Sequence, residues 1–310
     1  MEKPIHINKI ITTTTTKGNW FSSFLFFFFL LGICIFIYAF MKKYYIKEKN
    51  NDIKKNNNNK ENMKILHLVL FSHDQGGPYD SMHQILSKYY KEFPHVKTIF
   101  YCFSPDISSM YELKDDILYI QGNETYVPGI LDKTILALDY FKDEIQNNHD
   151  FVVRSNISTI VNFNILIPLL EVNPSLEYGG GYINTLAWMD EKGGVKDETW
   201  YGTRFGSGTS ILLSKWVAQD VINRKDLIRR DIIDDLAIGI FIREHRKDIH
   251  PEGLPGNVFI FVPNTEGDKT ALETMVEKGN YAFFRNHNGN REIDLEQMKI
   301  LIDVLQKKHK

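Results

Sequence analysis

From Met63 onward, short apolar runs alternate with stretches whose apolar residues recur every three or four positions. The first pattern predicts buried strands and the second predicts amphipathic helices. Residues 64–71 (KILHLVLF), 96–103 and 116–120 are strand candidates. A turn-like HDQGGP at 73–78 follows the first of them and leads into a helix over 79–91. Pro128 opens a helix in which Ile130, Leu131, Ile135, Leu136, Leu138 and Tyr140 form a broad apolar face. The stretch 150–163, DFVVRSNISTIVNF, reads as a strand that stops at Arg154-Ser155-Asn156, followed by the start of another helix. Further helices are expected over 215–223, from a capping Asp234 to about His245, and over 294–306. Strands are expected at 258–262 and 281–285. The Gly-rich runs YGGGY at 178–182 and GSGTS at 206–210 read as tight turns or as backbone approaching a phosphate, and neither has the spacing of a dinucleotide fingerprint. Strands alternating with helices imply an α/β fold with a mixed, mainly parallel sheet covered by helices on both faces. Ligands of such sheets bind beyond the carboxyl ends of the strands, where Arg154, Ser155 and Asn156 fall.

The first 62 residues have a different pattern. Residues 20–40 (WFSSFLFFFFLLGICIFIYAF) contain no charge and, as a helix, are long enough to cross about 30 Å of hydrocarbon. They predict a transmembrane signal anchor, hence a single-pass membrane protein, and no cleavage site suggests a removable signal peptide. Residues 1–19 form an N-terminal tail and residues 41–62 an Asn/Lys-rich stem without core-forming periodicity. Lysines 42, 43, 47, 49, 54 and 55 follow the span closely, while only lysines 3, 9 and 17 precede it, which favours a cytoplasmic-facing body. Cys34 lies in the span and Cys102 stands alone in the body, so the body forms no internal disulfide.

Charge narrows the functional classes. The first 62 residues hold 10 Lys against 4 acidic residues, yet the whole chain is −2, so the body is acidic. That argues against a nucleic-acid partner. Asp234-Asp235 reads as a helix start, or as one capping carboxylate beside a neighbour that serves as general base. Arg285 can pair with a diphosphate through its planar guanidinium or form a surface ion pair. His287, in the loop expected after that strand, is either a ligand or an ordinary exposed histidine. Trp188 and Trp200 flank a Gly- and charge-rich loop, as sugar-stacking or core aromatics.

Taken in order, these segments resemble the fringe and β-1,3-galactosyltransferase family of GT-A glycosyltransferases. Glu124-Thr125-Tyr126 followed by Lys133-Thr134 resembles the family's acidic-Ser/Thr-Tyr segment leading to a Lys-Thr pair. FVVRSNISTIVN is similar to its F-x-x-K-T-D-D-D-x-F-V-N strand, residues 206–214 to its S-G-x-G-y-v-x-S segment, and Asp234 to Gly239 to its D-D-V/M-x-x-G motif. The likeness spans about 123–239. It implies a GT-A fold for residues 63–310, a nucleotide-sugar donor such as a UDP-sugar, a glycan or glycoprotein acceptor, and a Golgi- or ER-type membrane. It also implies an inverting transfer with Asp235 as base beside Asp234, and a donor site of Arg154, Ser155, Asn156, Ser158, Ser207, Gly208, Arg285 and His287.

One departure matters chemically. Asn156, Ile157 and Ser158 stand where the family has three aspartates that bind Mn²⁺. Asn156 and Ser158 offer only neutral oxygens, whereas hard divalent cations favour charged ones. A basic side chain such as Arg154 or Arg285, a metal held through the substrate, or loss of transfer are the resulting alternatives. Loss of transfer would leave a catalytically silent protein of this fold that binds a glycan or protein partner.

Overall fold

A computed structural model describes residues 63–72, 77–265 and 267–308. In chain order the elements are β1 (Ile65–Leu70), α1 (Tyr79–Tyr90), β2 (Val96–Ser104), β3 (Tyr111–Lys114), β4 (Ile117–Gln121), α2 (Gly129–Tyr140) and α3 (Lys142–Asn148). Next come β5 (Phe151–Asn156), β6 (Thr159–Val161), α4 (Phe163–Glu171), β7 (Tyr178–Gly180), β8 (Ile183–Thr185), β9 (Arg204–Gly206) and β10 (Ile211–Ser214). The chain continues through α5 (Lys215–Asn223), α6 (Asp234–His245), β11 (Glu252–Gly253), β12 (Phe259–Val262), α7 (Lys269–Lys278), β13 (Phe283–Asn286) and α8 (Arg291–Lys308).

Eight strands form one sheet in the order β11-β7-β10-β5-β1-β2-β4-β3. Its centre, β5-β1-β2-β4, is parallel, and β10 runs antiparallel between β5 and β7. The fold is therefore mixed α/β with a mostly parallel central sheet. Strand periodicity sends alternate residues to two separate cores. Ile65, Val69 and Val153 enter a core with α1, α4, α7 and α8, while Leu66, Leu68 and Val152 enter one with α2, α3, α5 and α6. Helices thus cover both faces, as the run pattern predicts.

A second, three-stranded sheet, β12-β13-β6, begins where β5 ends. Residues 159–161, expected to open a helix, instead form β6; Asn162 then caps α4 by accepting from Asn164 N. β6 pairs antiparallel with β13 in a register that sets Arg285 opposite Thr159. The three-residue corner Asn156-Ile157-Ser158 therefore joins two sheets and lies against Arg285.

Of the two Gly-rich runs, 206–210 contains the expected turn and 178–182 differs. Residues 178–180 are strand β7, and their glycines permit close backbone contact rather than a turn: a Cβ on Gly179 would lie 2.1 Å from the Glu252 carbonyl oxygen. The expected membrane placement is overturned, because no helix among the described residues is long and apolar enough to cross a membrane. The tail 1–19, the span 20–40 and the stem 41–62 lie outside the described residues. Neither the single-pass, Golgi- or ER-type localisation nor the cytoplasmic-facing body has support in the structure.

Candidate functional site

The carboxyl end of β5 meets the 207–209 turn and the start of α6. Arg154, on the same strand face as Val152, points into the second core and is 3% exposed. Its Nη2 lies 2.5 Å from Asp234 Oδ2, its Nε donates to the Tyr101 hydroxyl at 3.2 Å, and its Nη1 donates to the Gly208 carbonyl. Burial disfavours the charge, but Asp234, Tyr101 and Asp235 outweigh that and raise the Arg154 pKa. Arg154 is thus a neutralised tie between β5, the 207–209 turn and α6. The expectation that it binds a donor phosphate does not fit a guanidinium already spent on these partners.

Asp234 takes part in that tie and does not cap α6, whose N-cap is Ile233 without a side-chain bond. Capping falls to Asp235, whose Oδ1 accepts from Leu236 N at 2.8 Å, while Oδ2 accepts from Gly208 N at 2.9 Å. Asp235 is half-buried, unlike Asp234 at 4% exposure. Burial, then the Asp234 charge, pushes the Asp235 pKa up to about 7; the Gly208 N–H, Arg154 and the Leu236 N–H oppose this. A carboxylate held by two backbone amides and titrating near neutrality is poised to take a proton from a hydroxyl.

The network extends through residues that the resemblance groups with the strand. Tyr101 O–H bonds Thr134 Oγ1 at 2.9 Å, and Lys133, next to Thr134, is paired with Glu124 at 2.5 Å. Lys133 Nζ also donates to the Phe71 carbonyl at 3.1 Å, just beyond β1, and Glu124 Oε1 accepts from Phe103 N at 3.0 Å. Burial lowers the Lys133 pKa, with Glu124 opposing it. Residues 71, 101–103, 124 and 133–134 are therefore joined to Arg154 at one end of the parallel strands.

At the corner after β5, Arg285 Nη1 donates to Asn156 Oδ1 at 2.7 Å and also to Ser158 Oγ. Thr159 Oγ1 donates to the same Asn156 oxygen at 2.8 Å. The β6–β13 register causes the meeting, because Arg285 lies opposite Thr159. Mn²⁺ does not fit here. Both neutral oxygens face a guanidinium, Ile157 is 6% exposed within an apolar core, and no group of three His, Cys, Asp or Glu among the described residues can hold a metal.

Other expected residues fall in different places. Ser155 lies on the strand face opposite Arg154, fully buried, with its Oγ 2.9 Å from His67 Nε2. Ser207 is half-buried at the turn, its Oγ 3.0 Å from Thr209 Oγ1. His287 is exposed just past β13, its ring 6.4 Å from Phe261. Trp188 is 45% exposed beside Phe205, whereas half-buried Trp200 carries the Arg229 guanidinium over its ring at 4.9 Å. Tyr101 was not singled out in the sequence; its signal was a hydroxyl inside an otherwise apolar strand on the parity of Leu66 and Val152.

No protein-family model matches the chain, and no curated protein matches it. Among solved structures, it is similar to 4-diphosphocytidyl-2C-methyl-D-erythritol synthase from Anaerococcus prevotii DSM 20548. That likeness has a TM-score of 0.38 and 9% identity, covering 63% of this chain and 89% of the other. A likeness of that degree carries no argument about activity.

Proposed function

We propose that residues 63–310 form a GT-A-like glycosyltransferase domain that moves a sugar from a nucleotide-sugar donor, a UDP-sugar, to a hydroxyl of a glycan or glycoprotein. The observation that carries this reading is the Arg154 tie, which holds Asp235 against Gly208 beside the end of β5. In an inverting transfer, the acceptor oxygen attacks the anomeric carbon and its proton passes to the Asp235 carboxylate. The bond from that carbon to the diphosphate oxygen breaks, releasing the nucleoside diphosphate. A single general base contributes about 10²–10⁴-fold, and fixing the two substrates against each other contributes more. Gly208 keeps this corner narrow, since a side chain there would press on both Arg154 and Asp235.

The test is release of nucleoside diphosphate from a panel of UDP-sugars by the full-length chain, with Asp235→Asn in parallel. Release that falls by two or more orders of magnitude in the variant supports the reading. Equal release by both proteins removes Asp235 from the chemistry, and no release from any donor favours a binding protein of the same fold.

A further inference from the structure

Arg285 feels the charges of both Arg291 and Arg154. Those two are neutralised: Arg154 lies 2.5 Å from Asp234 and Arg291 lies 2.5 Å from Asp294. Arg285 has no carboxylate partner among the described residues; its bonds go to the neutral oxygens of Asn156 and Ser158. The Asp294 charge, already paired with Arg291, is the nearby carboxylate that favours its protonation, and a half-buried cation whose direct partners are neutral is costly unless something else completes it.

The geometry of those bonds shows what completes it. A guanidinium has five N–H donors in one plane, two of them on each terminal nitrogen. Asn156 and Ser158 engage Nη1 alone, pinning one corner of the plane. The Nε and Nη2 edge has no partner among the described residues, and neither atom is among the sealed, unsatisfied polar atoms. That edge presents parallel N–H groups at the spacing of two oxygens of a phosphate or carboxylate.

We infer that the Arg285 guanidinium, seated on Asn156 and Ser158, is a built-in cation that binds a diphosphate without any divalent metal. This rests on the transferase reading for the identity of the diphosphate, and it names what stands at the position where the resembled family has metal-binding aspartates. The exchange of aspartates for Asn and Ser is then matched chemistry. Aspartates would neutralise Arg285, whereas an amide and a hydroxyl orient it and leave its charge available. Burial, and then the nearby Arg291 charge, lower its pKa to about 10, which keeps it protonated at neutral pH. A guanidinium so placed also favours the negative charge that gathers on a departing diphosphate.

The experiment titrates the full-length chain with inorganic pyrophosphate and with UDP by calorimetry, in EDTA and then in Mn²⁺. Both probes are expected to bind in EDTA, with affinities that Mn²⁺ changes by less than about threefold. Arg285→Gln is expected to weaken both by more than about tenfold, and Arg285→Lys, which keeps the charge but not the fork, by less. The Lys variant guards against a folding defect in the Gln variant. Binding that needs Mn²⁺, absence of pyrophosphate binding under either condition, or native affinity in Arg285→Gln would each overturn the inference. The transferase reading fails separately: metal-free pyrophosphate binding through Arg285 with no release from any UDP-sugar keeps the inference and sinks that reading. Sugar transfer that requires Mn²⁺ does the reverse.

Discussion

Asp234 Oδ2 lies 2.5 Å from Arg154 Nη2, while the adjacent Asp235 turns to the backbone amides of Gly208 and Leu236. Two neighbouring carboxylates thus have separate partners, one a buried guanidinium and the other two backbone amides, and the proposed function assigns the second to proton transfer. Removing one partner of a buried ion pair costs about 3–5 kcal/mol, because the other charge is left uncompensated. Asp234→Asn is therefore expected to lower unfolding stability by that amount. Asp235→Asn is expected to keep stability within about 1 kcal/mol and lose 10²–10⁴-fold in transfer. Urea unfolding and donor turnover on both variants check the division; equal stability losses would contradict it.

The proposed role of Asp235 also sets an expected pH dependence. Asp235 has a pKa raised to about 7 by burial first and the Asp234 charge second, and only its deprotonated form accepts a proton. Turnover is expected to rise with pH through a midpoint near 7 and then level off. Asp234 and Asp235 interact, so the midpoint belongs to the pair. A profile flat between pH 5 and 8 would place the proton elsewhere.

Gly208 sits between the two charges. A Cβ there would approach Arg154 Nη1 to 2.8 Å and Asp235 Oδ2 to 3.3 Å. Because Arg154 is fixed by Tyr101 and Asp234, the added methyl must push the turn outward. Gly208→Ala is expected to cost about 1–3 kcal/mol in stability and to lower kcat more than it raises KM. Steady-state kinetics with saturating donor separate the two effects.

His67 supports the strand from the other face. It is fully buried, with Nε2 2.9 Å from Ser155 Oγ and Nδ1 3.3 Å from Thr98 Oγ1, and burial lowers its pKa to about 3. The unfolded chain protonates this histidine below about pH 6.5, and the folded chain does not, so stability falls as pH drops through that value. At pH 5 the loss is about 2 kcal/mol. Comparing the pH 7 to pH 5 stability change of the native chain with that of His67→Gln isolates this contribution. A variant with the full native change would mean the imidazole is not the group responsible.

How much of this was legible in the sequence depends on the range of the interactions. Alternating apolar runs give β1, β2 and β5 because a strand's period is local, and Asp234-Asp235 at a helix start is local too. The exchange of duties between those aspartates was not legible, since it is decided by Arg154, eighty residues earlier. Residues 159–161 show the same limit: their apolar run suits a helix or a strand, and pairing with β13 decides it. The meeting of Arg285 with Asn156 depends on that same register, 129 positions apart in the chain. The sequence marks the polar corner at 156–158, but only the pairing of β6 with β13 places a cation on it.

That placement leads to a prediction about conversion. Asn156→Asp with Ser158→Asp restores two carboxylates, the ligand type that Mn²⁺ prefers. In the native surroundings those carboxylates would meet the Arg285 guanidinium first, forming a partly buried ion pair that occupies the oxygens a metal ion would need. The double variant is therefore expected to lose pyrophosphate affinity without gaining Mn²⁺ affinity. Adding Arg285→Gln removes the internal cation and frees both carboxylates, so the triple variant is expected to bind Mn²⁺ and to require it for UDP. Calorimetric titration of Mn²⁺ into the two variants distinguishes them. Equal Mn²⁺ affinity in both would show that the guanidinium and the ion occupy different places, and that the neutral Asn156 and Ser158 have another origin.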